Sequence, residues 1–493
     1  MRQTRFSRMV SGSGHKWWVL AVVDIGILMA TLDASIVNIA LPTILSSFKT
    51  TLVAAEWVLE AYLLTITSLL LPFGRLSDIL GRKRVYTAGF TVFTVGSLLC
   101  GFSQNVEELI AFRVLQAAGA AMIMANGFAI VTAVFPPKQR GMALGINGTM
   151  VATGFTLGPT IGGLLIATLG WRWIFFVNIP IGVVGTLAGI AVLKEALVTG
   201  HADGVRPRFD FAGAALSTVA LLSLLLALNI GPESGWTSAP TLAASALFVV
   251  LGALWVVVES RVKDPMVNLS IFRRRTFSAG NLAGLLAFLA ISANAFLMPF
   301  FLQLVLGYSA IQAGLLMTPT ALVMAVIAPI SGWLSDRLGA RLLSSAGLAL
   351  NGIALFFLGT LSAGTHYTEV LRWLVLLGIG QGLFQSPNNS SVMGDVPRSQ
   401  LGVGSGLLAM VRNVGQVVGI AVSASFLLSG LSEVAGRGEI GALASVTPGA
   451  MDPAFLSAFM HGLHASYWAA AGFAAVGVAS SLVRGKQKAH ASA

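Results

Sequence analysis

Gly74-Arg-Leu-Ser-Asp-Ile-Leu-Gly-Arg-Lys-Arg84 separates two long apolar runs, and a shorter version, Gly332-Trp-Leu-Ser-Asp-Arg-Leu-Gly-Ala-Arg341, separates two more. Gly, Leu, Ser, Asp, Leu and Gly recur at a constant shift of 258 positions. A second set, Gly141, Gly145, Gly154 and Gly158, recurs as Gly402, Gly406, Gly415 and Gly419 at a shift of 261. Two independent stretches with nearly the same shift describe a chain built twice. Gly74 and Gly81 are expected to permit a tight turn, because glycine reaches backbone conformations closed to other residues.

The runs on either side decide the class. Of 493 residues, 56% are hydrophobic and 10% charged, against roughly 25% charged in a soluble protein. Such a chain cannot present a wetted surface. Its apolar stretches are continuous and about 20 residues or longer, which is the helical pattern, not the alternation of a barrel. An all-α integral membrane protein is expected. Fourteen spans are expected, near 17–41, 55–74, 85–103, 108–134, 141–168, 173–193, 211–230, 240–259, 277–302, 311–332, 342–362, 373–393, 402–430 and 463–483.

Charge tests the count. With the N-terminus in the cytoplasm, the thirty Lys and Arg fall inside, except Lys49, Arg172, Arg372 and Arg437 on outer loops and Arg113 and Arg412 within spans. This is the positive-inside bias, and it places both termini in the cytoplasm. The net charge of +11 then reads as basic loops meeting anionic lipid, not as a nucleic-acid surface. Cys100 is the only cysteine, so no intrachain disulfide is possible.

The repeat divides the chain into a six-helix half at 1–195, a linker and inserted helix pair at 196–275, and a second six-helix half at 276–493. The linker around Glu195, His201, Asp203, Arg206, Pro207, Arg208 and Asp210 is polar and cytoplasmic. Residues 431–462 read as an outer loop. Duplicated helical halves with a site between them are a transporter architecture.

These residues resemble the major facilitator superfamily, and within it the fourteen-spanner drug:proton antiporter family, over essentially the whole chain. Gly74–Arg84 is similar to the superfamily's loop between spans two and three, departing at Ile79, where Arg or Lys is usual. Arg113-Val-Leu-Gln-Ala-Ala-Gly119 resembles the fourth-span motif, and Gly154-Phe-Thr-Leu-Gly-Pro-Thr-Ile-Gly-Gly163 the fifth-span antiporter motif. Leu32-Asp-Ala-Ser-Ile-Val-Asn-Ile-Ala-Leu-Pro42 resembles the first-span motif of the fourteen-spanner branch. Trp171-Arg-Trp-Ile-Phe-Phe-Val-Asn-Ile-Pro180 is similar to a stretch common there. The resemblance implies proton-coupled export of lipophilic, often cationic compounds by alternating access, across a bacterial cytoplasmic membrane.

Charges inside a bilayer cost at least ~2.5–3.5 kcal/mol and therefore usually work. Asp33, Glu60 and Arg113 all fall in the outer half of the first bundle. They are the expected proton-coupling groups, with Asp33 the main one. Desolvation favours a protonated carboxyl and a nearby cation the ionised form, and the balance can set proton exchange near neutral pH. A cationic cargo would then compete with the proton for one negative site. Under the repeat, Asp33 falls on Ile291 or Asn294, so coupling resides in one half. Asp24, about 180° from Asp33 around the helix, is expected to do something else.

Candidate cargo contacts are Asp33, Glu60, Asn38, Gln381, Gln385, Asn388 and Arg412, with Asn294, Gln303 and Asn389 as further polar wall residues. Gly74, Asp78, Gly81, Arg82 and Asp336 are candidate gating residues. Asp78 can accept bonds from a helix N-terminus, where the dipole favours an anion, or pair with a local Arg. Gly154, Gly158 and Gly162 lie along one helix stripe, allowing a close helix contact. Pro159 removes one helix hydrogen bond, and Gly163 completes the motif.

A dedicated exporter of one metabolite, lipid or antibiotic could use the same residues. An enzyme would need clustered His or acids, and His461 and His464 are the only close histidine pair. No phosphate-binding loop of the Walker type is present, which argues against an ATP-driven pump. No metal or cofactor is expected, only the proton gradient. The expected partners are small lipophilic or cationic cargo, protons and lipid; the expected state is a monomer.

Overall fold

The computed structural model describes residues 14–198, 208–435 and 453–484, and no strand occurs among them. The long helices in chain order are α1 (His15–Phe48), α2 (Leu52–Leu80), α3 (Arg82–Phe102), α4 (Val106–Val134), α5 (Pro137–Leu169), α6 (Asn178–Val192) and α7 (Phe211–Ser234). They continue with α8 (Ala239–Arg261), α9 (Arg275–Phe300), α10 (Ala310–Leu338), α11 (Ala340–Leu358), α12 (Tyr367–Gly394), α13 (Leu401–Ala435) and α14 (Pro453–Leu482). Thirteen helical spans among the described residues are long and apolar enough to cross a membrane, α6 together with the preceding turn Trp173–Phe176 as Trp173–Val192. The exception is α12, which has the length, at 28 residues, but carries Gln381, Gln385, Asn388 and Asn389 in its second half.

His201, Asp203, Arg206 and Pro207 of the expected linker, Arg437 of the outer loop, and both termini lie outside the described residues. The outer loop is shorter than 431–462, since α13 runs to Ala435 and α14 begins at Pro453.

Helix ends follow from local chemistry. The side chains of Thr51, Asn105 and Ser309 each accept a backbone N–H of the first turn of α2, α4 and α10, satisfying donors that have no intrahelical partner. Gly81 and Gly339 end α2 and α10 at φ of 103° and 87°, a conformation glycine adopts without strain.

This corrects the reading of the repeated loop. Gly74 through Leu80 is helical, and Gly81 alone separates α2 from α3. Gly74 is therefore not a turn residue. A Cβ there would meet the Gly402 carbonyl oxygen at 2.5 Å, and one on Gly406 would meet the Leu70 oxygen at 2.6 Å. The glycine lets two helix backbones touch.

The chain forms two compact units: Met1–Val219 with Ala253–Ile271 and Met393–Met410, and Ala220–Gly252 with Phe272–Val392 and Val411–Ala493. Their bounds fall inside α7, α8, α12 and α13 and in the 3-10 turn Leu269–Arg273. In the first unit α1 is central, with 78% of its most apolar window buried, and it packs on α4, α5 and α6. In the second, α14 packs on α9 and α11 over a core that includes Ala290, Leu297, Leu374, Leu377 and Tyr467.

The glycine stripes of α5 and α13 perform the same task in their own units. A Cβ on Gly154 would fall on Thr31, one on Gly158 on Ser35, and one on Gly162 on Ile36. In the second unit a Cβ on Gly415 would fall on Leu285 and Phe288, and one on Gly419 on Leu289 and Ser292. Pairing Ser35 with Ser292 sets the shift of this helix at 257. Asp33 thus corresponds to Ala290, not to Ile291 or Asn294. Loops of different length let each helix keep its own shift, which motif spacing alone does not show.

Candidate functional site

Four helices of the first unit converge on Asp33. The side chain is fully enclosed in α1. Its Oδ2 accepts from Arg113 Nη1 at 2.6 Å, a buried ion pair between α1 and α4. Its Oδ1 accepts from Gln116 Nε2 and from Asn178 Nδ2, both at 2.8 Å. Three side chains from two other helices thus hold the carboxylate.

Arg113 is itself fully buried. It also donates to Gln116 Oε1 at 2.8 Å and, through Nε, to the Val58 carbonyl of α2 at 3.1 Å. Its guanidinium lies 3.9 Å over the Tyr62 ring, an arrangement that stabilises a cation away from water. Tyr62 in turn donates to the Ala30 carbonyl. Asn178 donates to Ser97 Oγ at 3.1 Å, and Ser97 donates to the Phe175 carbonyl. The cluster therefore ties α1, α2, α3, α4 and α6 through one carboxylate. The glycine stripe adjoins it: Ser35, two residues after Asp33, donates to the Gly154 carbonyl at 3.0 Å.

Gln116, Asn178 and Tyr62 were not singled out from the sequence. Gln116 follows Arg113 by three residues, which puts both on one helix face. Asn178 lies in the stretch around Trp171–Pro180. Both signals were present in the motifs, without the partner that explains them.

The other expected residues lie elsewhere. Glu60 is half-buried on α2, and Asn38 is exposed on α1; neither bonds to Asp33. Asp33 presents no surface to a cargo in this structure. Asp24 forms a separate buried pair, accepting from Asn147 Nδ2 of α5 at 3.0 Å. Pro159 is exposed and Gly163 half-buried on α5.

Asp78 sits at the cytoplasm-proximal end of α2 in the sequence-based orientation. It accepts from the Gly402 and Val403 amides at 2.9 and 3.0 Å, at the first turn of α13, where the helix dipole favours an anion. Arg82 Nη2 pairs with it at 2.7 Å. The same nitrogen donates to the Arg398 carbonyl at 2.7 Å, and Nη1 donates to the Val198 carbonyl. Asp336, its repeat counterpart, is half-buried at the end of α10.

In the second unit Gln381, Gln385, Asn388, Asn389 and Arg412 are all buried. Asn351 Nδ2 donates to Gln381 Oε1 at 3.3 Å. Arg484 Nη2 donates to Asn388 Oδ1, and Tyr467 donates to Asn294 Oδ1 at 3.2 Å. Gln303, half-buried, lies in the π turn that extends α9. Among the described residues no group of three or more His, Cys, Asp or Glu side chains is arranged to hold a metal ion.

Comparison with known proteins places this arrangement. The chain is 39% identical over 418 residues to the riboflavin transporter RibZ of Clostridioides difficile (strain 630), covering 85% of this chain and 90% of the relative. It is 34% identical over 414 residues to the multidrug resistance protein Stp of Mycobacterium tuberculosis (strain CDC 1551 / Oshkosh), covering 84% and 76%. The proton:xylose symporter XylE superposes with a TM-score of 0.64 at 14% identity, over 95% of each chain, a likeness of fold. Residues 23–420 match the Major Facilitator Superfamily, and the chain belongs to that family.

Proposed function

We propose that this protein is a proton-coupled exporter of small lipophilic organic compounds, driven by the proton gradient across the bacterial cytoplasmic membrane, with Asp33 as the proton-linked group. One observation carries the reading: a fully enclosed carboxylate whose counter-charge among the described residues is Arg113, 2.6 Å away. Protonation removes the charge that holds Arg113 to α1. Arg113 keeps its bonds to Gln116 and to the Val58 carbonyl. The switch thus loosens α1 from α4 while leaving α4 attached to α2. A change of charge becomes a change of helix contact, as alternating access requires. The Gly154–Gly162 stripe on the far side of α1 limits leak while that happens. Asp78, held by the first turn of α13 and by Arg82, acts as the latch of the cytoplasmic face.

Resistance proteins among the relatives support a drug cargo. A dedicated metabolite exporter is the second reading, favoured by the riboflavin transporter among them. A cationic cargo held by Asp33 has less support, since Arg113 already neutralises that carboxylate.

The test is substrate-dependent proton release from the purified protein, with a panel of charged and neutral compounds. Wild type is expected to release protons on adding cargo, and Asp33→Asn to bind cargo without release. Unchanged release by the variant removes Asp33 from the coupling step.

A further inference from the structure

The two units bury opposite charge. In the first, Asp24, Asp33, Asp78, Asp210 and Glu259 are buried alongside Arg75, Arg82 and Arg113. In the second, the buried charged side chains among the described residues are Arg412 and Arg484, with no buried carboxylate. Two buried ion pairs, Asp33–Arg113 and Asp78–Arg82, belong to the first unit. A guanidinium enclosed without a counter-ion is costly. It is kept where something else supplies the charge.

Of the two, Arg412 is placed for an outside partner. It lies 11 residues after the start of α13, about 16 Å along the axis at ~1.5 Å per residue. The residue is 7% exposed. Its Nε makes one long bond, 3.4 Å, to Asn413 Oδ1. Among the described residues no acceptor is placed on Nη1 or Nη2, and neither is among the sealed, unpartnered atoms. Arg484 differs: its Nε and Nη1 are sealed, and its Nη2 is engaged by Asn388.

We infer that the second unit recognises an organic anion, a compound whose carboxylate is taken by Arg412. Guanidinium Nη1 and Nη2 present the fork that a carboxylate meets with two bonds. This rests on the transport reading above and specifies its cargo. The proton and the cargo then bind to different groups. Protons exchange at Asp33 in one unit, and the cargo's charge is met in the other.

The experiment measures equilibrium binding to the purified full-length protein, near neutral pH and without a gradient. The probes are two matched pairs, rhodamine B with its ethyl ester and salicylate with salicylamide. Wild type is expected to bind each acid about 10- to 100-fold more tightly than its neutralised partner, the range for hydrogen bonds to a charged group. Arg412→Gln is expected to bring the ratio to parity. Arg412→Lys keeps the charge without the fork and should retain the preference at reduced strength, which also shows that variants at this position fold. A wild type that binds neither acid better than its partner, or an Arg412→Gln ratio equal to wild type, overturns the inference. Proton release on the same preparations separates the two readings. If coupling at Asp33 is wrong, the acid preference survives. If the anion assignment is wrong, Asp33-dependent release survives.

Discussion

Two equivalent places in the repeat contain opposite chemistry. In the first unit Asp33, Arg113 and Gln116 are joined between α1 and α4. The second unit is aligned by its close glycine contacts, Gly89 with Gly119 and Gly347 with Gly380. Six and three residues before Gly380 stand Leu374 and Leu377, where Arg113 and Gln116 precede Gly119. Ala290 stands for Asp33. All three belong to one apolar core. The same helix scaffold therefore holds a polar cluster or a hydrophobic one. The ion pair is not needed to build a six-helix half.

The comparison can be broken most sharply at Asp33. Asp33→Asn is expected to abolish cargo-driven proton release and, because it leaves the buried Arg113 without its counter-charge, to lower the thermal transition of the purified protein as well. A variant that keeps full release would make the polar cluster a packing feature after all.

The next effect is on stability. Arg113→Leu leaves a buried carboxylate without its cation, expected to cost about 3–5 kcal/mol. Replacing Asp33, Arg113 and Gln116 together by Ala, Leu and Leu copies the second unit. Because a buried ion pair replaced by well-packed apolar residues is often neutral in stability, the triple variant should unfold at a higher temperature than Arg113→Leu alone, yet remain uncoupled. A triple variant less stable than the single one would show that the two sites are not equivalent.

What the units share should respond alike. Gly158→Leu and Gly419→Leu each force a side chain into a helix contact, with a cost of about 1–3 kcal/mol typical of overpacking. Unequal losses of thermal stability would sharpen the comparison by showing which seam is the tighter one. The last effect is expected at Asp78→Asn, which removes the anion at the first turn of α13, worth about 0.3–2 kcal/mol, and with it the counter-charge of the buried Arg82. Turnover should fall several-fold with cargo binding unchanged; unaltered turnover would remove the latch.

The buried pair at the centre of the site was only half legible beforehand. Asp33 and Arg113 stand out because ionisable residues in apolar runs are rare. Their partnership across 80 positions is not visible in either run. Gln116 and Asn178 look like ordinary polar residues until the carboxylate is placed between them. Gly74 was misread because glycine marks both a turn and a close approach, and only the Gly402 carbonyl opposite distinguishes the two.

Taken by itself, the sequence determined the class and plan of this protein: continuous apolar runs require helices in a membrane, and repeated motifs require two related halves. These are properties of neighbouring residues and need no partner to be read. Tertiary structure alone decided which charges are paired and which are not. Asp33 is satisfied by Arg113, Gln116 and Asn178, whereas the Nη atoms of Arg412 meet no acceptor among the described residues. The physical reason is that the free energy of a charge in a low-dielectric interior depends on which groups lie within a few ångströms, and helix packing, not order along the chain, sets that distance.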